Sequence, residues 1–503
     1  MSNLDVLLIT PPSRTDVYEK LAEEYAAIEP PVWSSLIANY LLKKGYSVKI
    51  LDAESLSINY IKTAKLIGEE NPKLAVYMVY GQQPSASTQC MPGGNKTVRE
   101  VKEISNNEID SLIVGTHASA LPKKTLEEKF FKYVCQGEGP ITIEGILEYK
   151  KGNKRLNAIP GLWYIEDNEI KNNKPAKIFE DLDKQLPGQA WNLLDMSKYK
   201  AHNWHTFDNL NSRNLYASLQ TSLGCPFKCT FCCINAPFES NTIRYWSPKH
   251  IMNQIKILVE EYNIYNIKIP DEMFVLNPKQ IHELCDRIEA SGYGEKLNFW
   301  VYARIDTLND NLMLKKMAKT GFRWLGLGIE SSSKHVRDGV AKGRFGNHEI
   351  ESIVKKVRDM GFYVGANYIF GLPDDDLNSM NETLDLSLRI NSEWTNFYSA
   401  MAYPGSQLYS MAKKNKWLLP DDSGGPGWIG YSQHNYETLP LKTEKIKASE
   451  VLEFRDKAFN SYFTNPNYLK MIDSTFGKNT VSHIQKMTKY KIKRKHQFEE
   501  VNY

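Results

Sequence analysis

The pattern with the clearest chemistry is a run of cysteines near the middle of the chain. Cys225, Cys229 and Cys232 have the spacing C-x3-C-x2-C, and Cys233 follows directly, so four of the seven cysteines fall in this segment. Thiolate sulfur is a soft ligand that suits iron–sulfur clusters and zinc. Three thiolates on a four-iron cluster leave one iron open to bind a small molecule. The spacing therefore predicts a reactive metal centre.

A structural zinc site is the alternative for the same segment. Zinc takes four ligands, so Cys229 and Cys232 would need a second pair. His282 and Cys285, at positions i and i+3 of an expected helix, are the candidates. Cys233 adjoins Cys232 and is poorly placed to bind the same ion. This comparison favours a cluster over zinc.

The composition is that of a folded protein with several domains. The chain has 503 residues, 42% of them hydrophobic and 24% charged, which allows about three domains with buried cores. The 63 Lys and Arg nearly balance the 59 Asp and Glu, so charge predicts neither a nucleic-acid nor a membrane partner. The apolar run at residues 4–9 contains Asp5 and matches neither a signal peptide nor a membrane span. We expect a cytoplasmic protein.

Short apolar strands alternate with amphipathic helices over residues 1–150. Strands are expected at 6–10, 47–51, 74–79, 111–114 and 133–135. This alternation is typical of a doubly wound, Rossmann-like α/β domain with a parallel sheet. The periodicity weakens over 151–214, where 162–170 fits a hairpin, so we expect a linker with some structure.

The alternation returns over residues 215–402. Strands are expected at 216–221, 266–269, 298–303, 324–328, 363–370 and 396–400. Six units predict a partial (β/α)6 TIM-like barrel, and the cysteine segment follows its first strand, at the mouth where barrels place their chemistry. Residues 403–503 are expected to form a mainly helical C-terminal segment with a helix over 444–463. We interpret the basic stretch at 486–495 as a solvated helix or tail.

The cysteine segment resembles the motif of the radical S-adenosylmethionine (radical SAM) enzymes, C-x3-C-x-aromatic-C, with Phe231 as the aromatic residue. The resemblance implies that Cys225, Cys229 and Cys232 hold a 4Fe–4S cluster. Its open iron would bind S-adenosylmethionine (SAM), whose cleavage yields a radical that removes a substrate hydrogen. The implied SAM contacts are Glu272 for the amino group, Arg304 and Glu330 for the carboxylate or ribose, and Ile369 for the adenine face.

The first domain resembles the cobalamin-binding domain that precedes the barrel in one branch of radical SAM enzymes. The implied cobalamin contacts lie in four loops that follow expected strands: Thr10, Gln82, Ser85, Ser87, Thr88, Thr116, His117, Ser119, Gly137, Glu138 and Gly139. The D-x-H-x-x-G pattern that supplies a cobalt ligand in many cobalamin proteins is absent, as is common in this branch. His117, the domain's one histidine, fits a loop hydrogen bond better than a metal bond. A doubly wound module without a corrin is the alternative.

The two resemblances cover nearly the whole chain. They imply a cobalamin-dependent radical SAM methyltransferase that adds a methyl group to an unactivated carbon of a small molecule. The implied partners are that substrate and an external electron donor of the flavodoxin or ferredoxin type, without nucleic acid or a membrane span. A cobalamin-dependent radical SAM cyclase or rearrangement enzyme is the nearest alternative. A non-catalytic, zinc-stabilised protein that binds a corrin or a partner is the alternative from a different class.

Overall fold

A seven-stranded sheet forms the first half of the molecule. The structure is a computed structural model and describes residues 4–81, 83, 86–106, 108–343 and 345–497. The sheet has the order β2-β1-β3-β4-β5-β6-β7; β1 to β5 are parallel and β6 and β7 antiparallel. Its strands are β1 (Val6–Thr10), β2 (Val48–Asp52), β3 (Leu74–Met78), β4 (Ser111–Val114), β5 (Tyr133–Cys135), β6 (Leu162–Glu166) and β7 (Glu169–Asn172). The last two are the hairpin of the expected linker.

Helices cover both faces of this sheet. They are α1 (Arg14–Tyr18), α2 (Leu21–Glu24), α3 (Val32–Lys43), α4 (Tyr60–Glu70), α5 (Ala86–Ile104), α6 (Thr116–Ala120), α7 (Pro122–Glu127) and α8 (Pro140–Lys150). Successive strand residues point to opposite faces, so Leu8 packs in the same cluster as Leu36 of α3, and Leu7 packs in the other cluster with Ile67 of α4. Burial on both faces explains the continuous apolar strands.

A second sheet of six parallel strands has the order β15-β14-β13-β12-β11-β8. The strands are β8 (Tyr216–Ser218), β11 (Asn266–Ile269), β12 (Asn298–Arg304), β13 (Phe322–Glu330), β14 (Tyr363–Phe370) and β15 (Trp394–Ser399), and the short ribbon β9 (Ser222–Leu223) with β10 (Arg244–Tyr245) flanks them. Before and between them lie α9 (Leu182–Gln185), α10 (Pro248–Glu260), α11 (Pro278–Ser291), α12 (Asn311–Lys319), α13 (Lys334–Gly339), α14 (Asn347–Asp359) and α15 (Leu377–Ile390). The predicted fold class, a doubly wound domain followed by a partial barrel, is confirmed.

The C-terminal segment is helical and packs on the second sheet. Its helices are α16 (Gln407–Lys414), α17 (Ala448–Phe463), α18 (Pro466–Phe476) and α19 (Lys478–Met487). Phe454 of α17 packs edge-on against Phe370 of β14, with ring centroids 4.9 Å apart. The basic stretch is not a solvated tail throughout, because the Arg494 side chain is fully buried and pairs with Asp456 at 3.2 Å. Among the described residues, no helix is long and apolar enough to cross a membrane.

Trp204 closes the barrel at the end opposite the cysteine segment. It comes from the segment between the two sheets, and its ring lies 4.3 Å from Trp300, 5.0 Å from Trp324 and 6.1 Å from Trp394. These three tryptophans belong to β12, β13 and β15. An aromatic plug of this kind buries a large apolar area and fills the space that two missing barrel strands would otherwise help to fill.

We predict that Trp204→Ala destabilises the protein by about 3–5 kcal/mol, because the loss of the ring leaves a cavity among three further tryptophans. Urea denaturation would measure the change. Leu312→Ala is the matched control: Leu312 is 62% exposed, so its removal should change the free energy of unfolding by less than about 0.5 kcal/mol. Equal effects of the two substitutions would contradict the plug.

Candidate active site

One large cavity collects the chemistry that the sequence predicts. It has a volume of about 880 Å³ and lies at the carboxyl ends of the barrel strands, where loops converge. Its lining includes all seven predicted cluster and SAM residues: Cys225, Cys229, Cys232, Glu272, Arg304, Glu330 and Ile369. The structure therefore brings this predicted set together.

The cysteine loop is held at its base by a buried carboxylate. Asp271, at the end of β11, accepts hydrogen bonds from the Thr221 amide at 2.8 Å, the Thr221 hydroxyl at 2.5 Å and the Ser222 hydroxyl at 2.6 Å. Farther along, Asn235 brackets Cys225: its Oδ1 accepts from the Cys225 amide, and its Nδ2 donates to the Cys225 carbonyl. These contacts fix the loop against the mouth of the barrel.

The donor set of this loop fits an iron–sulfur cluster. A 4Fe–4S cluster binds each thiolate at a separate iron, so the three sulfurs need not meet at one point. Within the described residues, no three His, Cys, Asp or Glu side chains converge as a metal site would require. Burial raises the pKa of Cys225 to about 11, so metal binding there displaces a proton from the thiol.

The candidate zinc pair lies elsewhere. His282 and Cys285 are on α11, and the His282 Nε2 atom lies 3.2 Å from Asp310 Oδ2. Cys285 is buried in the core that α11 forms with the barrel. Neither residue belongs to the described lining of the cavity that holds Cys229. The structure thus separates this pair from the cysteine loop.

Two basic residues neighbour the cluster cysteines and the Glu330 carboxylate. Arg304 donates through Nη1 to the Cys229 sulfur at 3.6 Å, while Nε and Nη2 hold Asp306 at 2.9 and 3.0 Å. Lys342, from the loop after α13, pairs with Glu330. Lys342 could not be predicted from the sequence, because its loop has no motif and its partner lies on a different element.

The backbone at Glu330 is strained. Its φ of 66° lies in the left-handed region, which costs a non-glycine residue free energy. The pairing of β13 with β14 shifts by one residue between Gly328 and Glu330, so the strand bulges there. A Cβ at Gly328 would meet the Lys342 ammonium. This bulge and this glycine together turn Glu330 towards Lys342 at the cavity wall.

Of the two glutamates predicted to contact SAM, Glu330 pairs with Lys342, whereas Glu272 has no ion-pair partner among the described residues. Burial raises its pKa to about 7, and the positive charges of Lys268 and Lys342 only partly offset that rise. A desolvated carboxylate of this kind gains strongly from a bound ammonium group. Glu272 is therefore suited to an amino group beside the cluster.

A smaller cavity of about 170 Å³ adjoins the large one and faces the first domain. The two share Gln83, Gln89 and Glu272, while Thr10 and Thr116 of the first domain line the smaller one. The Thr10 hydroxyl is buried and has no hydrogen-bond partner among the described residues. A buried hydroxyl without a partner fits a ligand rich in amide groups, such as a corrin.

The other predicted cobalamin residues have partners inside the protein. Ser87 donates to the Val79 carbonyl, Thr88 contacts the His117 ring, and the Ser119 hydroxyl contacts the Gly137 backbone. Glu138 pairs with Arg244 at 2.8 Å, and the Gly139 carbonyl accepts from the Ile143 amide at 2.9 Å. None of the seven predicted residues Ser87, Thr88, His117, Ser119, Gly137, Glu138 and Gly139 belongs to the described lining of either cavity. Gln82 and Ser85 lie outside the described residues.

His117 is buried between two partners. Its Nδ1 lies 3.2 Å from the Thr88 hydroxyl, and its ring packs 4.4 Å from Trp428. Burial lowers its pKa to about 3, so the ring is neutral. The structure thus places the His117 side chain in the protein interior, outside the described lining of both cavities.

Two family models match the chain. The model of the radical SAM superfamily matches residues 219–387, and that of the B12 binding domain matches residues 18–147. The first range contains the cysteine loop, and the second contains loops that face it across the cavities. The chain belongs to the radical SAM enzymes that carry a B12-binding domain. The cofactors of this radical SAM enzyme are accordingly a 4Fe–4S cluster, SAM and cobalamin.

Relatives extend over most of this radical SAM enzyme. An uncharacterized methyltransferase of Pyrococcus horikoshii is 25% identical and aligns over 93% of this chain and 94% of its own. An anaerobic magnesium-protoporphyrin IX monomethyl ester cyclase of Cereibacter sphaeroides is 22% identical and aligns over 88% of this chain and 68% of its own.

Two solved structures share the fold. The cobalamin-dependent SAM radical enzyme OxsB, with aqua-cobalamin and SAM bound, has a TM-score of 0.71 at 15% identity and covers 96% of this chain and 71% of its own. The radical SAM methyltransferase TsrM of Kitasatospora setae, with cobalamin and a 4Fe–4S cluster bound, has a TM-score of 0.66 at 16% identity. It covers 93% of this chain and 90% of its own.

We predict that Cys225→Ala abolishes both the cluster and the formation of 5′-deoxyadenosine from SAM, because a thiolate ligand is lost. Cys233→Ala is the control, since this neighbouring cysteine is outside the motif; it should retain about four irons per chain. Iron and sulfide analysis and chromatography of the nucleoside would measure both. Undiminished 5′-deoxyadenosine from Cys225→Ala would contradict the assignment.

We also predict that SAM binds more weakly as the pH falls below about 7. The raised pKa of Glu272, about 7, means that its carboxyl takes up a proton in that range and can then no longer pair with the ammonium of SAM. Between pH 7.5 and pH 6 the affinity should fall on the order of fivefold. Glu272→Gln should bind weakly at both pH values. An unchanged affinity across this range in the unmodified protein would remove Glu272 from the SAM site.

Proposed function

We propose that this radical SAM enzyme transfers a methyl group to an unactivated carbon of a small organic substrate. The observation that carries the proposal is the junction of the two cavities. Glu272 of the barrel and Gln89 of the first domain line both of them. A substrate at this junction would lie between the residues suited to SAM and those suited to cobalamin. The relative that aligns over nearly the whole chain and is named a methyltransferase supports the same reaction.

The residues of the barrel would bind and orient SAM. Glu272 would pair with the ammonium of its methionyl group. Arg304, already oriented by Asp306, and Lys342, paired with Glu330, would supply positive charge for its carboxylate. Ile369 would contact the adenine ring. When bound, the cluster and SAM supply a radical that removes a substrate hydrogen, and cobalamin carries the methyl group.

The remaining residues would keep water out. A carbon radical must meet only its intended partner, so the site has to be closed during the reaction. Trp204 and Trp300 form part of the cavity floor. Gln83 of the first domain donates to the Tyr302 hydroxyl of β12 at 2.6 Å, which ties the two domains together beside the cavity.

The reaction needs a reductant. A flavodoxin or ferredoxin as electron donor, and a cytoplasmic location, stay predictions from the sequence. So do the cobalamin contacts and the domain limits at 1–150, 151–214, 215–402 and 403–503.

We predict that the holoenzyme, given SAM with a deuterated methyl group and a small-molecule extract, transfers three deuterium atoms to a product detected by mass spectrometry. Formation of the product should require cobalamin and should stop in Cys225→Ala. A substrate consumed with 5′-deoxyadenosine formed but without label in the product would contradict methyl transfer. That outcome would favour a cyclase or rearrangement enzyme, the activity named for one relative.

A further inference from the structure

One part of the large cavity has hydrogen-bond donors that the protein itself does not use. Tyr18 of α1, Tyr398 of β15 and Arg455 of α17 come from three separate parts of the chain and line this cavity. Within the described residues, neither tyrosine hydroxyl has a hydrogen-bond partner. Tyr18 also lines the smaller cavity. These donors therefore lie beside the junction at which the proposed function places the substrate.

Arg455 is a buried cation with an unused edge. Its side chain is 8% exposed. Nε donates to the Phe397 carbonyl at 2.9 Å, and Nη1 donates to Asp456 Oδ1 at 2.8 Å. No described residue accepts from Nη2. A buried guanidinium that lacks an acceptor on one edge gains strongly from a planar anionic group placed there.

Protein carboxylates do not neutralise this region. Asp456 is shared, because Arg494 also reaches it through Nε and Nη2, both at 3.2 Å. Lys457 and Lys491 line the same cavity, and Glu453 is the other carboxylate of α17 in the lining. In the lining, the three cations Arg455, Lys457 and Lys491 thus accompany the two carboxylates Glu453 and Asp456, and the buried Arg494 shares Asp456, which leaves a positive excess.

The neighbouring histidine adds no charge. His434 packs 5.3 Å from the Tyr18 ring. Burial and the charges of Arg455 and Arg494 hold its pKa well below the usual value, although Asp456 acts in the opposite direction. His434 is therefore neutral and lies beside Tyr18 without adding a positive charge.

Tyr398 adjoins both this region and the predicted SAM residues, because it pairs with Ile369 in the register of β14 and β15, and Arg455 donates to the carbonyl of the adjacent Phe397. Its pKa is raised to about 12 by burial; the positive charge of Arg455 lowers it and the negative charge of Glu330 raises it. Both charges therefore act on one hydroxyl. A group bound by Tyr398 and Arg455 would hold the rest of a substrate near Glu330, where the radical would form under the proposed function.

We propose that the substrate is a small organic anion whose carboxylate or phosphate oxygens accept hydrogen bonds from Arg455, Tyr398 and Tyr18. The inference rests on the proposed function in taking this cavity as the substrate site, and it adds the substrate class. Trp300 and Trp394 in the same lining give the remainder of the substrate an apolar surface.

The test is calorimetric titration of the SAM-loaded holoenzyme with benzoate, benzamide and inorganic phosphate. Benzoate and benzamide have the same shape and differ in charge. Benzoate should bind at least about tenfold more tightly than benzamide, because hydrogen bonds to a charged acceptor are the stronger ones. Tighter binding of phosphate than of benzoate would assign a phosphate-bearing substrate, and the reverse a carboxylate. Equal binding of benzoate and benzamide, or no binding of benzoate and phosphate, would overturn the inference.

Variants locate the binding. Arg455→Gln should weaken anion binding about tenfold or more, and Tyr398→Phe, which removes only a hydroxyl and leaves the packing intact, should weaken it severalfold. Tyr403→Phe is the matched control, since the Tyr403 hydroxyl already accepts from Gln433 and donates to the Tyr431 carbonyl; it should bind as the unmodified protein does. Unchanged binding in both Arg455→Gln and Tyr398→Phe would refute the site.

The two proposals can fail separately. Titration requires no turnover, so selective anion binding together with an unlabelled product from a consumed substrate would refute methyl transfer and leave the substrate class standing. Methyl transfer to a neutral substrate would refute the anionic substrate class and leave methyl transfer standing.

Discussion

A buried ion pair between the two domains determines how the active site is assembled. Lys268 lies inside the barrel on β11 with its side chain 1% exposed, and its ammonium contacts both oxygens of Glu29 at 2.9 and 3.1 Å. Removal of a charge from water costs several kcal/mol unless a partner is in place. Burial would raise the pKa of Glu29, but Lys268 and His202 hold it below the usual value. The barrel therefore reaches its low-energy state only with the first domain docked on it.

The same docking closes the open side of the barrel. Six strands leave a gap between the edge strands β8 and β15, and helix α2 and the C-terminal segment lie beside the cavity there. Tyr25 packs edge-on against Tyr490 at 5.4 Å, and Lys486 pairs with Glu24 at 2.8 Å. These contacts give the basic C-terminal stretch a structural role as part of the cavity wall.

Strand positions and strand-end residues could be predicted from the sequence, because apolar periodicity marks the strands and parallel strands end at a common edge. The positions of Glu272 and Glu330 at strand ends follow from this pattern, whereas their roles as SAM contacts come from the resemblance to the radical SAM enzymes. Lys342 and Glu29 could not be predicted: Lys342 lies in a loop without a motif, and Glu29 meets Lys268 across a separation of 239 residues. Glu138 shows another limit: its loop was identified, but the direction of its side chain depends on Arg244, which is 106 residues away.

We expect one chain to hold a cluster and a corrin on either side of a shared cavity. The most direct test is the iron, sulfide and corrin content of protein purified without oxygen from cells supplied with cobalamin. Protein prepared in this way should contain about four irons, four sulfides and one corrin per chain. A full cluster without corrin would contradict this expectation.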